Sequence, residues 1–145
     1  MESTLLTNLG MKKKGFDSTV RRQTSGKLWE NETFGILKDV FPADTILWQV
    51  TTTLLPGARP DFVVIKAGIV IECKACGLTP VQERVLVEHA RRQKFFESLG
   101  MEYVWWVDRE RNSLVHRTRS YLKNVFYNCL GEKEKFIMFL KNFTT

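Results

Sequence analysis

The chain has 145 residues, 43% hydrophobic and 26% charged, enough for one domain's core and too apolar for a disordered polyelectrolyte. Its 22 Lys and Arg outweigh 16 Asp and Glu, a net charge of +6 and a pI near 9.4, which favours polyanionic partners, nucleic acid first. No apolar run reaches the roughly 18 residues that span a bilayer, and the N-terminus lacks a signal-peptide stretch; an intracellular, cytoplasmic protein with no membrane contact is expected.

From Met1 to Lys27 only Glu2 and Asp17 oppose Lys12, Lys13, Lys14, Arg21, Arg22 and Lys27. Residues 1–24 therefore read as a basic, flexible arm suited to phosphate contacts. A first helix is expected from Gly26 to Phe41, with Ser25 as N-cap and Leu28, Phe34, Leu37 and Phe41 at helical spacing; Pro42 closes it. Thr45 to Thr53 is rich in β-branched residues and reads as a strand, and Pro56-Gly57 marks a loop.

Asp61 to Lys66 and Ile69 to Lys74 are two apolar runs around Ala67-Gly68, a pattern for an antiparallel hairpin at the centre of a sheet. Thr79-Pro80-Val81-Gln82 offers an N-cap, a first-turn Pro and a capping-box Gln, opening a helix that Gly100 stops. Glu102 to Val107 is a fourth strand, whose Trp105 and Trp106 alternate so that one could face outward. Helices are expected around Tyr121 to Leu130 and Lys133 to Phe143; the apolar face Phe136, Ile137, Leu140 and Phe143 suits core or interface. The order predicts an α/β fold with an αβββαβ core over residues 25–108, a mixed central sheet, and a helical extension of the same domain over 109–145.

The three cysteines, Cys73, Cys76 and Cys129, are an odd number that speaks against a disulfide framework. Cys73-x-x-Cys76 has no second pair, since His89 and His116 are the two histidines, so a structural zinc site is not expected.

The chemistry concentrates at Pro60-Asp61 and Glu72-Cys73-Lys74. A two-residue turn at Ala67-Gly68 sets Lys66 opposite Ile69, Val63 opposite Glu72 and Asp61 opposite Lys74. Asp61, Glu72 and Lys74 then share one face; a three-residue turn without a bulge would break that parity. Two carboxylates and an ammonium on central strands are costly unless paired or bound to metal. Magnesium takes one or two carboxylates and completes its shell with water and phosphate, and a neighbouring lysine can steady charge at phosphorus. The competing reading is a salt bridge at strand ends.

These residues resemble the PD-(D/E)XK nuclease superfamily, with Pro60-Asp61 as the first half of its motif and Glu72-Cys73-Lys74 as the second. Gly26-Lys27-Leu28-Trp29-Glu30-Asn31-Glu32 with Leu37, and the loop Thr52 to Arg59, look most like the archaeal Holliday-junction resolvases. The resemblance implies a restriction-endonuclease-like core and a homodimeric DNA endonuclease using Mg2+, with Mn2+ able to substitute. It implies that Asp61, Glu72 and the Cys73 carbonyl hold the metal, that Lys74 assists the water, and that Glu30, with Glu32 as competitor, completes the site. Arg59 is expected to touch phosphate, as are Lys12, Lys13, Lys14, Arg21 and Arg22 of the arm. Arg91, Arg92 and Lys94 are phosphate contacts or solvated charges, Gln93 a polar residue at the core edge, and His89 a surface residue. The loop carries Leu55-Pro56-Gly57-Ala58 where the resolvases have Ser-Gly. Three other readings stay open: a sequence-specific restriction or homing enzyme, a catalytically inactive nucleic-acid-binding module, and a basic structural protein whose motif is accidental.

Overall fold

A computed structural model describes residues 11–12, 25–52, 55, 57–75, 82–109 and 112–144. In chain order these contain β1 (Met11–Lys12), α1 (Ser25–Val40), β2 (Ile46–Trp48), β3 (Thr51–Thr52), β4 (Phe62–Val64) and β5 (Ile69–Lys74). They continue with α2 (Glu83–Ser98), β6 (Glu102–Val107), α3 (Asn112–Tyr121), β7 (Val125–Tyr127) and α4 (Lys133–Lys141). The main sheet has the order β2-β4-β5-β6-β7. The first two pairings are antiparallel and the last two parallel, so the expected mixed α/β architecture is present.

Alternation along the strands sorts the core into two layers. Val63, Val70, Tyr103, Trp105 and Val107 meet Leu86 and Phe96 of α2 and Val115 of α3. Phe62, Ile69, Ile71, Val104 and Trp106 meet Trp29, Ile36 and Leu37 of α1 and Phe136 and Leu140 of α4. Helices therefore cover both faces, and β4, β5 and β6 are buried on both sides, which explains their nearly continuous apolar runs. Trp105 and Trp106 are both buried, one in each layer; neither faces outward. The α4 face belongs to the core, with Phe136 stacked on Trp106 at 4.6 Å between ring centroids. No helix among the described residues is long and apolar enough to cross a membrane.

Several local expectations are corrected. On α1, Leu28 is 53% exposed and Trp29 takes the inward place, its indole Nε1 donating to the Trp106 carbonyl at 3.0 Å. The strand expected over 45–53 is broken at Gln49, whose φ of +47° turns the chain between β2 and β3. Met11–Lys12 pairs antiparallel with Thr51–Thr52, so that part of the arm is strand; residues 1–10 and 13–24 lie outside the described residues.

The hairpin turn has four residues, 65–68, rather than two, and Val64 faces Ile69. Gly68 supplies the left-handed φ of +70° and its N–H donates back to the carbonyls of Val64 (2.9 Å) and Ile65 (3.0 Å). Helix α2 starts at Glu83, later than Pro80: Gln82 is extended, makes no side-chain cap, and instead accepts from Arg84. The Thr79-Pro80 signal lies outside the described residues.

The largest correction is at 109–145, which is not wholly helical. Where a helix was expected around Tyr121 to Leu130, Val125–Tyr127 instead adds a strand to the sheet, pairing with Trp105 to Val107. The Glu132 carboxylate, five residues on, accepts the Tyr127 N–H at 2.9 Å and holds Arg119 of α3, tying this strand to the helix before it.

Candidate active site

The four-residue turn shifts the hairpin register by two residues relative to a two-residue one. Because the shift is even, side-chain parity survives it. Continued from Phe62 opposite Ile71, the register sets Asp61 opposite Glu72, not Lys74. Glu72 and Lys74 lie on the face covered by α2, as do Val63 and Val70.

Asp61 itself is in the bend that opens β4, and its carboxylate turns into the plane of the ladder. There its Oδ2 accepts the N–H of Cys73 at 2.8 Å. The reason lies in the backbone. The Gly68 and Lys74 carbonyls accept from Glu102, which opens β6, and Asp108, which follows it, so even positions of β5 address β6 and odd positions, including Cys73, address β4. The position across from Cys73 is Pro60, which has no N–H to donate. Asp61 satisfies the Cys73 amide, while Pro60 offers nothing to the Cys73 carbonyl.

On its other side Asp61 is hydrogen-bonded to Glu30 of α1. Burial, that hydrogen bond and the charge of Glu72 push the Asp61 carboxyl up to about 8. Two carboxyls can hydrogen-bond only through a proton, which the pair shares. Glu32, the competitor of Glu30, is exposed and lines a cleft with Lys38 and Asp39 of α1 and Lys133 and Glu134 of α4. It takes no part in this cluster.

Glu72 is 2% exposed and richly bonded. Its Oε2 accepts from the Tyr103 hydroxyl at 2.6 Å and from Arg92 Nη1 at 3.2 Å, and stands 3.2 Å from His89 Nδ1. Burial alone would raise this carboxyl, but the His89 hydrogen bond, Lys74 and Tyr103 together hold it down at about 2. His89 Nδ1 also lies 2.6 Å from Tyr103 Oη, and its Nε2 lies 3.4 Å from Lys74 Nζ.

One proton arrangement satisfies every contact. The Lys74 ammonium donates to Nε2, so the neutral ring carries its proton on Nδ1 and donates towards Tyr103 and Glu72. Burial, the first cause, lowers the His89 pKa in agreement. Lys74 Nζ also sits over the Trp105 ring, 5.1 Å from its centroid.

His89 is therefore a buried hub and not a surface residue. Its place three residues after Leu86 and seven before Phe96 put it on the apolar stripe, the signal that could have found it. Tyr103 left no such sign, since a tyrosine in an apolar strand is ordinary core. Arg92 touches Glu72 and, through Nη2, the Gly57 carbonyl at 3.4 Å. Gln93 is outside the cluster, its Oε1 accepting the Lys123 N–H at 2.8 Å. Arg91 is exposed and paired with Glu88, and Lys94 is exposed. Arg59 is exposed beside the motif, its Nη2 donating to Gln49 Oε1 at 2.9 Å. The Lys12 side chain and residues Lys13, Lys14, Arg21 and Arg22 lie outside the described residues.

Among the described residues no group of three His, Cys, Asp or Glu side chains is arranged to hold a metal ion. Magnesium does not require one, because one or two carboxylates, a carbonyl and water suffice. The donor set fits that demand: Asp61 and Glu72 lie close enough for the charge of one to raise the pKa of the other, and Pro60 leaves the Cys73 carbonyl without a backbone donor across the hairpin. No protein-family model, curated protein or solved structure matches this chain.

Proposed function

We propose that the protein is a metal-dependent DNA endonuclease, structure-selective in the manner of a Holliday-junction resolvase. The observation that carries the reading is the gathering of Asp61, Glu30, Glu72 and Lys74 at the open end of one central hairpin. A core spends stability to hold such charges, and an oxygen-rich cluster beside a fixed ammonium suits phosphodiester hydrolysis.

Asp61 and Glu72, with the Cys73 carbonyl and Glu30 beside them, would hold Mg2+ or Mn2+. When bound, such an ion acidifies water and offsets negative charge on a phosphodiester. Lys74, positioned by His89 Nε2 and the Trp105 ring, would offset the charge that develops at phosphorus. Arg59 and the basic arm bind flanking phosphates. The protein acts as a homodimer, whose two-fold axis presents one site to each of two strands.

The test is a panel of four-way junctions, flaps and linear duplexes, incubated with and without Mg2+. Junction cutting that requires the metal is expected, with Asp61→Asn reducing it on the order of a hundredfold or more, the loss typical of removing one preorganised electrostatic group. Site-specific cutting of linear duplex would instead identify a restriction or homing enzyme. A nucleic-acid-binding module without catalysis is favoured by one observation, the pairing of buried Glu72 with Arg92. Junction binding with no cutting in either Mg2+ or Mn2+ would establish it.

A further inference from the structure

Glu72 is served by two cations. Lys74 reaches it through His89, and Arg92 touches it directly, Nη1 to Oε2 at 3.2 Å. Arg92 is a poor permanent partner. Its side chain is only 16% exposed, yet among the described residues its buried Nε has no hydrogen bond, the nearest carboxylate being Glu88 at 3.8 Å. Its Nη2 contact to the Gly57 carbonyl, at 3.4 Å, is long. A guanidinium has five donors in a planar fork that matches phosphate, and a buried one normally fills more of them than this.

Its position completes the case. Arg92 spans the gap between a proposed metal carboxylate, Glu72, and the Gly57 carbonyl in the loop before Asp61, so it would be at hand for a phosphate at that metal. A divalent cation arriving at Glu72 places two positive charges beside the guanidinium, and repulsion at a few ångströms is strong in a partly buried site.

We infer that Arg92 is a phosphate-binding residue held in reserve: it neutralises Glu72 in the free protein, and a divalent cation releases it to the DNA backbone. This rests on the nuclease reading and deepens it, by making cation binding and DNA binding favour each other through one side chain. In the free protein the guanidinium competes with metal for Glu72; in the complex it pairs with phosphate.

Two measurements on the full chain test this, neither of which reads cleavage. The first is calorimetric titration with Mn2+. Arg92→Gln, which removes the competing charge, is expected to bind about 3–10-fold more tightly than wild type. The second is affinity for a four-way junction in Ca2+ at several salt concentrations. The same variant is expected to bind about 5–10-fold more weakly, with a log–log salt slope shallower by about 1.

Unchanged or weaker Mn2+ binding in Arg92→Gln overturns the inference, and so does an unchanged junction affinity and slope. If neither wild type nor variant binds Mn2+, the metal reading itself falls and takes this one with it. That result differs from wild type binding Mn2+ and the variant matching it, which removes Arg92 alone. Should Arg92→Gln fail to fold, Arg92→Lys keeps the charge on Glu72 but loses the fork. It is expected to bind Mn2+ like wild type and the junction about 3-fold more weakly; equal junction affinity would overturn the inference.

Discussion

Asp61 and Glu72 titrate in opposite senses, although both are carboxyls of one cluster. Asp61 loses its proton near 3.8 when unfolded and near 8 when folded. The folded state thus holds that proton more tightly. The stability it contributes is complete below 3.8 and is lost as pH rises towards 8. Glu72 moves the other way, from 4.5 to about 2, so its contribution is present above 4.5 and lost as pH falls towards 2. Buried His89, its pKa lowered, adds an opposing slope below 6.5, so the metal-free protein is expected to weaken as the pH is raised from about 6.5 to 8, with about 1.4 kcal/mol per pH unit as the ceiling. Asp61→Asn should flatten that slope and Mn2+ should offset it. Denaturant midpoints across this range, with and without Mn2+, provide the check; a rising stability of metal-free wild type would contradict the shared proton between Asp61 and Glu30.

At the scale of elements, the sheet depends on helices that reach it from both faces. On α4, Phe136 is wholly buried and stacks on Trp106, which in turn stacks on Trp29 of α1 at 5.2 Å. Phe136→Ala should cost about 3–5 kcal/mol, the usual penalty for emptying a buried aromatic site, measured by urea denaturation. A cost below about 1 kcal/mol would mean that α4 is merely appended.

Elements with local punctuation were legible in the sequence. Helix α1, β6 and the end of α2 at Gly100, φ +79°, stand within a residue or two of where spacing and stop signals put them. Parity across the hairpin also survived a wrong turn length, because two residues of slip leave every side chain on its original face. What failed was decided by distant contacts. Val125–Tyr127 is a strand because Trp105 to Val107, about twenty residues back, offer a free edge, which local spacing does not encode; the Glu132 carboxylate that accepts the Tyr127 N–H is the one nearby contact that helps. His89 and Tyr103 come from different elements, and their union around Glu72 exists only once α2 packs on β6.

For the whole molecule, the two apolar layers share one sheet and cannot separate without exposing both of its faces. Trp105 and Trp106 are adjacent in sequence yet report on opposite layers. Unfolding is expected to be a single transition, with coincident midpoints for Trp105→Phe fluorescence, Trp106→Phe fluorescence and the circular dichroism of each variant. Splitting of these midpoints within either variant would show that one layer melts before the other. The outermost strands of the main sheet, Ile46–Trp48 and Val125–Tyr127, are only three residues long. So short a border is a poor template for docking a foreign strand, which protects a sticky interior from runaway polymerisation. It also steers self-association away from continuous sheets spanning two copies and towards helical or loop surfaces.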